Sequence, residues 1–179
     1  PMLQLTIHNV LAISRPLFAA LGDRMRLVEI VGHALYMLKQ WYCYIERYGT
    51  DVRDFAVCFD YHGQSLPFFA YGWEERYVRS SPMDRVIYAI ESLSQAGERV
   101  LRELSESQRA QVLVLPFERF VLDPWPWLGR MEALLETHVT AATRRELRRQ
   151  RVPRQRVAAG VALPIYKQYG WMPPQSGTD

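Results

Sequence analysis

Residues 26–45 read RLVEIVGHALYMLKQWYCYI, and two periodicities meet within them. Arg26–Val31 is short, mostly apolar and rich in β-branched side chains, the composition of a buried strand. From Ala34 to Tyr48 the pattern becomes that of a helix heavy in aromatics, closed by Gly49. A second apolar run, VLVL at 112–115, again reads as a buried strand. Between the strands, residues 85–104 carry Val86, Ile87, Ile90, Leu93, Val100, Leu101 and Leu104, the recurrence of one face of an amphipathic helix.

Strands alternating with helices predict an α/β fold: a three-layer domain over residues 1–179 with a small parallel sheet flanked by helices. An open sheet of this class commonly has four strands or more. More strands are therefore expected upstream of Pro1, and the chain is read as truncated at its N-terminus. Working outward, Ser14-Arg15-Pro16 reads as a helix start with Ser as cap, and Gly22 as its end. Residues 49–82, rich in Gly, Pro and aromatics, read as loop with short helical pieces. Asp123-Pro124-Trp125-Pro126 reads as a rigid turn into a helix with Leu128, Met131, Leu134 and Leu135 on one side. Thr140 caps a final basic helix that Pro153 breaks.

Composition removes several function classes. Hydrophobic residues are 49% and charged residues 23%, which is ordinary globular usage rather than disorder. No uncharged apolar run approaches the roughly 18 residues of a membrane span. The start, PMLQLTIHNV, lacks the features of a signal peptide. Cys43 and Cys58 are too few for a disulfide framework or a four-thiolate zinc site. A cysteine count too low for a disulfide framework, with no targeting signal, points to the cytoplasm.

Charge is uneven. The net +3 divides into +6 over residues 144–179 (eight basic, two acidic) and −3 over residues 1–143. A basic block suits an anionic ligand or polymer, or is a solvated helix face. Nothing else favours nucleic acid, since neither zinc-finger spacing nor an RNA-recognition signature is present.

Chemistry-bearing motifs are sparse. None of His8, His33, His62 and His138 has a helical histidine partner, so no metal is expected. There is no nucleophile elbow, dinucleotide fingerprint or phosphate-cradling loop. Phe117-Glu118-Arg119-Phe120 puts a carboxylate just past the second strand, at the strand end where α/β sheets bind ligands. Capping of the next helix accounts for Glu118 equally well.

Three segments together resemble the sulfotransferase family, which moves a sulfuryl group from 3′-phosphoadenosine 5′-phosphosulfate (PAPS) to a hydroxyl or amine. VLVLPFERFVLDPWPWL (112–128) is similar to the family's strand, acidic-aromatic pair and V-x-D-P turn. RLVEIVGHALYMLKQWYCYI (26–45) resembles the strand and helix that hold the donor's 3′-phosphate. RQRVAAGVALPIYKQYGW (154–171) is similar to the basic, glycine-containing segment that closes over that phosphate. The resemblance implies a P-loop-like fold, PAPS as co-substrate without a metal, and a small-molecule or carbohydrate acceptor. It implies His8 as general base, and Arg154, Arg156 and Gly160 as the phosphate clamp. Gly32 and Gln40 stand where the family keeps a phosphate-binding Arg and Ser, and Ala34 stands where it typically has Pro. The family's 5′-phosphosulfate loop has no counterpart here, so the chain alone is expected to be inactive.

Two rival readings follow from the same residues. Gly32 and the aromatics Trp41, Tyr42, Trp73 and Tyr77 suggest a non-catalytic relative that binds an anionic ligand or protein partner. The tail suggests a basic module for nucleic acid or heparin-like polymers. The aromatics of residues 61–77 line an acceptor pocket or fill the core.

Overall fold

A computed structural model of the chain describes residues 4–6, 8–51 and 57–157. These fall into two compact units: residues 4–6, 8–33 and 96–157 form one, and 34–51 with 57–95 the other.

The first unit is built around a parallel strand pair. β1 (Leu27–Val31) pairs with β4 (Val112–Pro116) in register from Leu27 opposite Val112 to Val31 opposite Pro116. Both expected strands and their parallel relation are therefore present, in a small sheet flanked by helices. Burial corrects one detail. Along β4, Leu113 and Leu115 are buried and their neighbours half-buried, while Ile30 and Val31 of β1 are 61% and 39% exposed. Burial on one face is period two, which is what a strand covered on one side requires.

Helices cover this pair. α1 (Arg15–Leu21) precedes β1, and the second half of α4 (Pro82–Glu103) leads through α5 (Glu106–Ala110) into β4. α6 (Phe117–Leu122), α7 (Trp125–Leu135) and α8 (Ala141–Arg149) follow. One core cluster joins Leu11, Phe18, Met25, Leu27, Val100 and Leu104. Ser14 occupies the cap position of α1 but does not cap it. Its hydroxyl donates back to the Leu11 carbonyl at 2.8 Å, because the buried side chain faces the preceding 3-10 turn. Gly22 does end α1, with φ 52° and ψ −131°.

Thr140 caps α8 as expected, its hydroxyl accepting the Thr143 N–H at 3.3 Å. The helix stops before Pro153. Arg151 turns left-handed (φ 56°), its N–H bonds the Arg148 carbonyl, and the Val152 N–H bonds the Leu147 carbonyl. That pair of bonds is a Schellman termination, with an arginine where glycine is usual.

The second unit holds α2 (Ala34–Asp51), β2 (Cys58–Tyr61), β3 (Gln64–Pro67), α3 (Glu74–Arg79) and the first half of α4. Gly49 does not end α2, which runs on to Asp51. Residues 58–67 form an antiparallel hairpin rather than a loop. His62 and Gly63 both have positive φ (52° and 79°), the backbone of a two-residue turn whose twist matches the strands it joins. Phe69, Tyr77, Val86, Ala89 and Ile90 pack into the core of this unit. Ile87 is 45% exposed, lying about 100° round α4 from Val86 and off the buried stripe.

Candidate functional site

Because β1 and β4 are parallel, their carboxyl ends lie together, Val31 beside Pro116. The chain leaves β1 through Gly32 and His33, and leaves β4 directly into α6. Glu118 ties the two exits. Its carboxylate accepts the backbone N–H of His33 at 2.8 Å. The reading of Glu118 as a cap of its own helix is thus replaced: α6 has no side-chain cap, and the carboxylate serves the other strand's exit.

Arg154 comes to the same end. Its backbone N–H donates to the Val121 carbonyl at 2.7 Å, and one terminal nitrogen donates to the Val157 carbonyl at 2.8 Å. The guanidinium sits 5.8 Å from the ring centre of Phe117, the first residue after β4. Its Nε is buried with no hydrogen-bond partner among the described residues, and desolvation lowers the pKa of the group below its ordinary value. The result is a half-buried cation, fixed at both ends, beside the exit of a parallel strand.

Of the residues singled out from sequence, Gly32 and Arg154 reach this end of the sheet. His8 is exposed, in a turn before the 3-10 segment Val10–Ile13. That segment is held to β1, since the Leu11 N–H donates to Glu29 Oε2 at 3.3 Å. Gln40 belongs to the other unit, where its amide donates to the Tyr44 hydroxyl at 3.3 Å. Arg156 is exposed two residues beyond Arg154. Gly160 lies outside the described residues. The aromatics of residues 61–77 divide: Phe69 and Tyr77 are core, whereas Tyr71 is 77% exposed and packs its edge on Phe59.

Two functional features were missed from sequence. One is the His33 N–H, a backbone group that no side-chain pattern reports. The other is Glu29, the single charge inside an otherwise apolar strand once Arg26 is set aside. Burial raises its pKa, and the Leu11 N–H only partly offsets that.

No family model, curated protein or solved structure matches the chain. The geometry must carry the functional reading alone. The strand ends offer one fixed cation, one carboxylate already committed to the backbone, and an exposed apolar rim of Ile30, Val31 and Phe117. Such a place suits the anionic end of a partly apolar ligand. A hollow of about 540 Å³ lined by Arg15, Ala19, Glu103, Leu104 and Gln108 is a weaker candidate, since Arg15 and Glu103 pair with each other there. Among the described residues no His, Cys, Asp and Glu cluster could hold a metal ion, and no helix is long and apolar enough to cross a membrane.

Proposed function

We propose that the chain belongs to a sulfotransferase-like protein that transfers a sulfuryl group from PAPS to a hydroxyl or amine acceptor, with catalysis not expected of this chain alone. What supports this most is Arg154, a half-buried cation fixed beside Phe117 at the carboxyl end of a parallel strand pair. Ligands of α/β sheets bind at that end. In this reading Arg154 and Arg156 hold phosphate oxygens of the donor nucleotide. The acceptor oxygen attacks sulfur, the bond from sulfur to the bridging oxygen of the 5′-phosphate breaks, and a general base, the role that the resemblance gives His8, takes the acceptor proton.

The test is calorimetric titration of the purified chain with 3′-phosphoadenosine 5′-phosphate, the product nucleotide. Binding that weakens about tenfold or more in Arg154→Ala supports the reading, the loss matching a charge-assisted contact of about 1.5–3 kcal/mol. Heat indistinguishable from dilution at millimolar nucleotide overturns it.

Gly32 favours a second reading, a relative that binds an anionic ligand without catalysis, because a glycine supplies no cation where the resembled family has one. Binding of 3′-phosphoadenosine 5′-phosphate no tighter than that of inorganic phosphate would select it.

A further inference from the structure

The densest charge among the described residues lies on α8. Four of its nine residues are arginines (144, 145, 148 and 149), and all four are exposed. Arg144 and Arg148 stand one turn apart, as do Arg145 and Arg149, so the helix carries two adjacent cationic rows with Cβ spacings of about 5–6 Å. The Thr140 capping box and the Schellman termination fix both ends of the helix, so the array is organised before any ligand arrives.

One carboxylate offsets part of this charge and leaves a net +3 over Ala141–Arg149. Glu146 of α8 itself is taken by Arg149 and Gln150, at 2.6 and 2.9 Å. One further guanidinium, Arg130, lies 4.9 Å from the ring centre of Trp127 in α7, and Arg144 of the array lies 5.1 Å from that of Trp125.

We propose that this arginine face of α7 and α8 is a docking surface for an acidic polysaccharide. Repeated sulfate or carboxylate groups on a linear chain match two rows of guanidiniums, which bind such groups in two-point fashion. Single-stranded nucleic acid fits less well, since it needs open rings for base stacking, and guanidiniums lie over the Trp125 and Trp127 rings. An anionic membrane fits less well too. Its peripheral helices bury an apolar face, and the one large apolar residue of α8, Leu147, is already half-buried. Among linear polyanions, a glycan also carries the free hydroxyls that a sulfuryl acceptor needs; that choice rests on the sulfuryl-transfer reading above.

The probe is a fluorescent heparin octasaccharide titrated into the full chain at several salt concentrations. The double variant Arg145→Glu/Arg148→Glu is expected to bind about tenfold or more weakly, with the salt slope falling by about 1.5–2. Circular dichroism establishes that the variant is folded, and Arg145→Gln/Arg148→Gln gives the same readout if it is not. Unchanged heparin affinity in either folded variant overturns the proposal. So does single-stranded DNA of equal charge that binds the unaltered chain as tightly as heparin. Product nucleotide is titrated in parallel: loss of heparin binding with nucleotide binding kept supports docking at a separate surface. Heparin binding without any nucleotide binding keeps the surface and removes the donor reading.

Discussion

Glu118 accepts the His33 backbone N–H at 2.8 Å, and with that bond the exits of two parallel strands 85 residues apart become one structural feature. The carboxylate fixes where the chain turns out of β1, next to Gly32, and so sets the shape of the strand-end site. Charge-assisted hydrogen bonds contribute about 1.5–3 kcal/mol, less where solvent reaches them. Glu118→Ala is expected to cost about 1–2 kcal/mol in urea unfolding and to weaken nucleotide binding, whereas Glu118→Gln recovers most of both. Equal stability of the alanine variant and the unaltered chain would show that the bond does not organise this end.

Glu29 makes the pH dependence specific. Its folded pKa lies above the ordinary 4.5 because burial penalises the charged form. In the window between the unfolded and the raised folded pKa, the native state binds more protons than the unfolded one. Stability therefore falls as pH rises through that window, and the cost of the buried charge is fully present above it. Glu29→Gln keeps an oxygen for the Leu11 N–H while removing the charge. Thermal unfolding from pH 4 to 8 is expected to show a higher midpoint for the variant at pH 7 and convergence near pH 4. A lower midpoint at pH 7 would refute the assignment.

How much of this was legible in sequence depends on whether the signal was local. RLVEIV and VLVL announce strands because β-branched runs fit few alternatives, and the expected and observed bounds differ by one residue at most. The 58–67 hairpin escaped because each strand has four residues and lies among Gly, Pro and aromatics; the one usable sign was His62-Gly63 at the turn. Ser14 misled because a serine before proline has the composition of a cap, while tertiary packing turned its hydroxyl back to Leu11. At the site, Arg154 was visible as charge. The His33 N–H was not, because only the fold decides which backbone donor meets a carboxylate 85 residues away.

Arg151 sits at φ 56° in the Schellman turn that ends α8. The left-handed region costs an L-residue about 1–2 kcal/mol, against about 0.5–1 kcal/mol of extra backbone entropy that a glycine loses on folding. The first effect wins, so Arg151→Gly should stabilise by about 0.5–1 kcal/mol. Denaturant unfolding checks the sign, and destabilisation would mean that the arginine side chain contributes more than its backbone costs.

Gly97 lies inside α4, where alanine is favoured by about 0.8–1 kcal/mol. An added Cβ would meet Leu11 Cδ2 at 3.7 Å, an ordinary contact. Nothing has to move, so the helix preference decides, and Gly97→Ala is expected to raise stability by about 0.5–1 kcal/mol. A loss in thermal unfolding would show that the Leu11 cluster is packed more tightly than this contact implies.

Gly32 bears most directly on function. It follows β1 at the end where Arg154 lies. If a donor phosphate binds there, Gly32→Arg adds one charge-assisted contact of about 1.5–3 kcal/mol, which is roughly 10- to 150-fold in affinity. Titration with 3′-phosphoadenosine 5′-phosphate should show that gain in Gly32→Arg and lose most of it in Gly32→Arg/Arg154→Ala, because both guanidiniums would grip one ligand. A gain that survives removal of Arg154 would place the phosphate elsewhere. No gain at all would mean that the strand ends do not hold the nucleotide, and the anion reading would then pass to the arginines of α8.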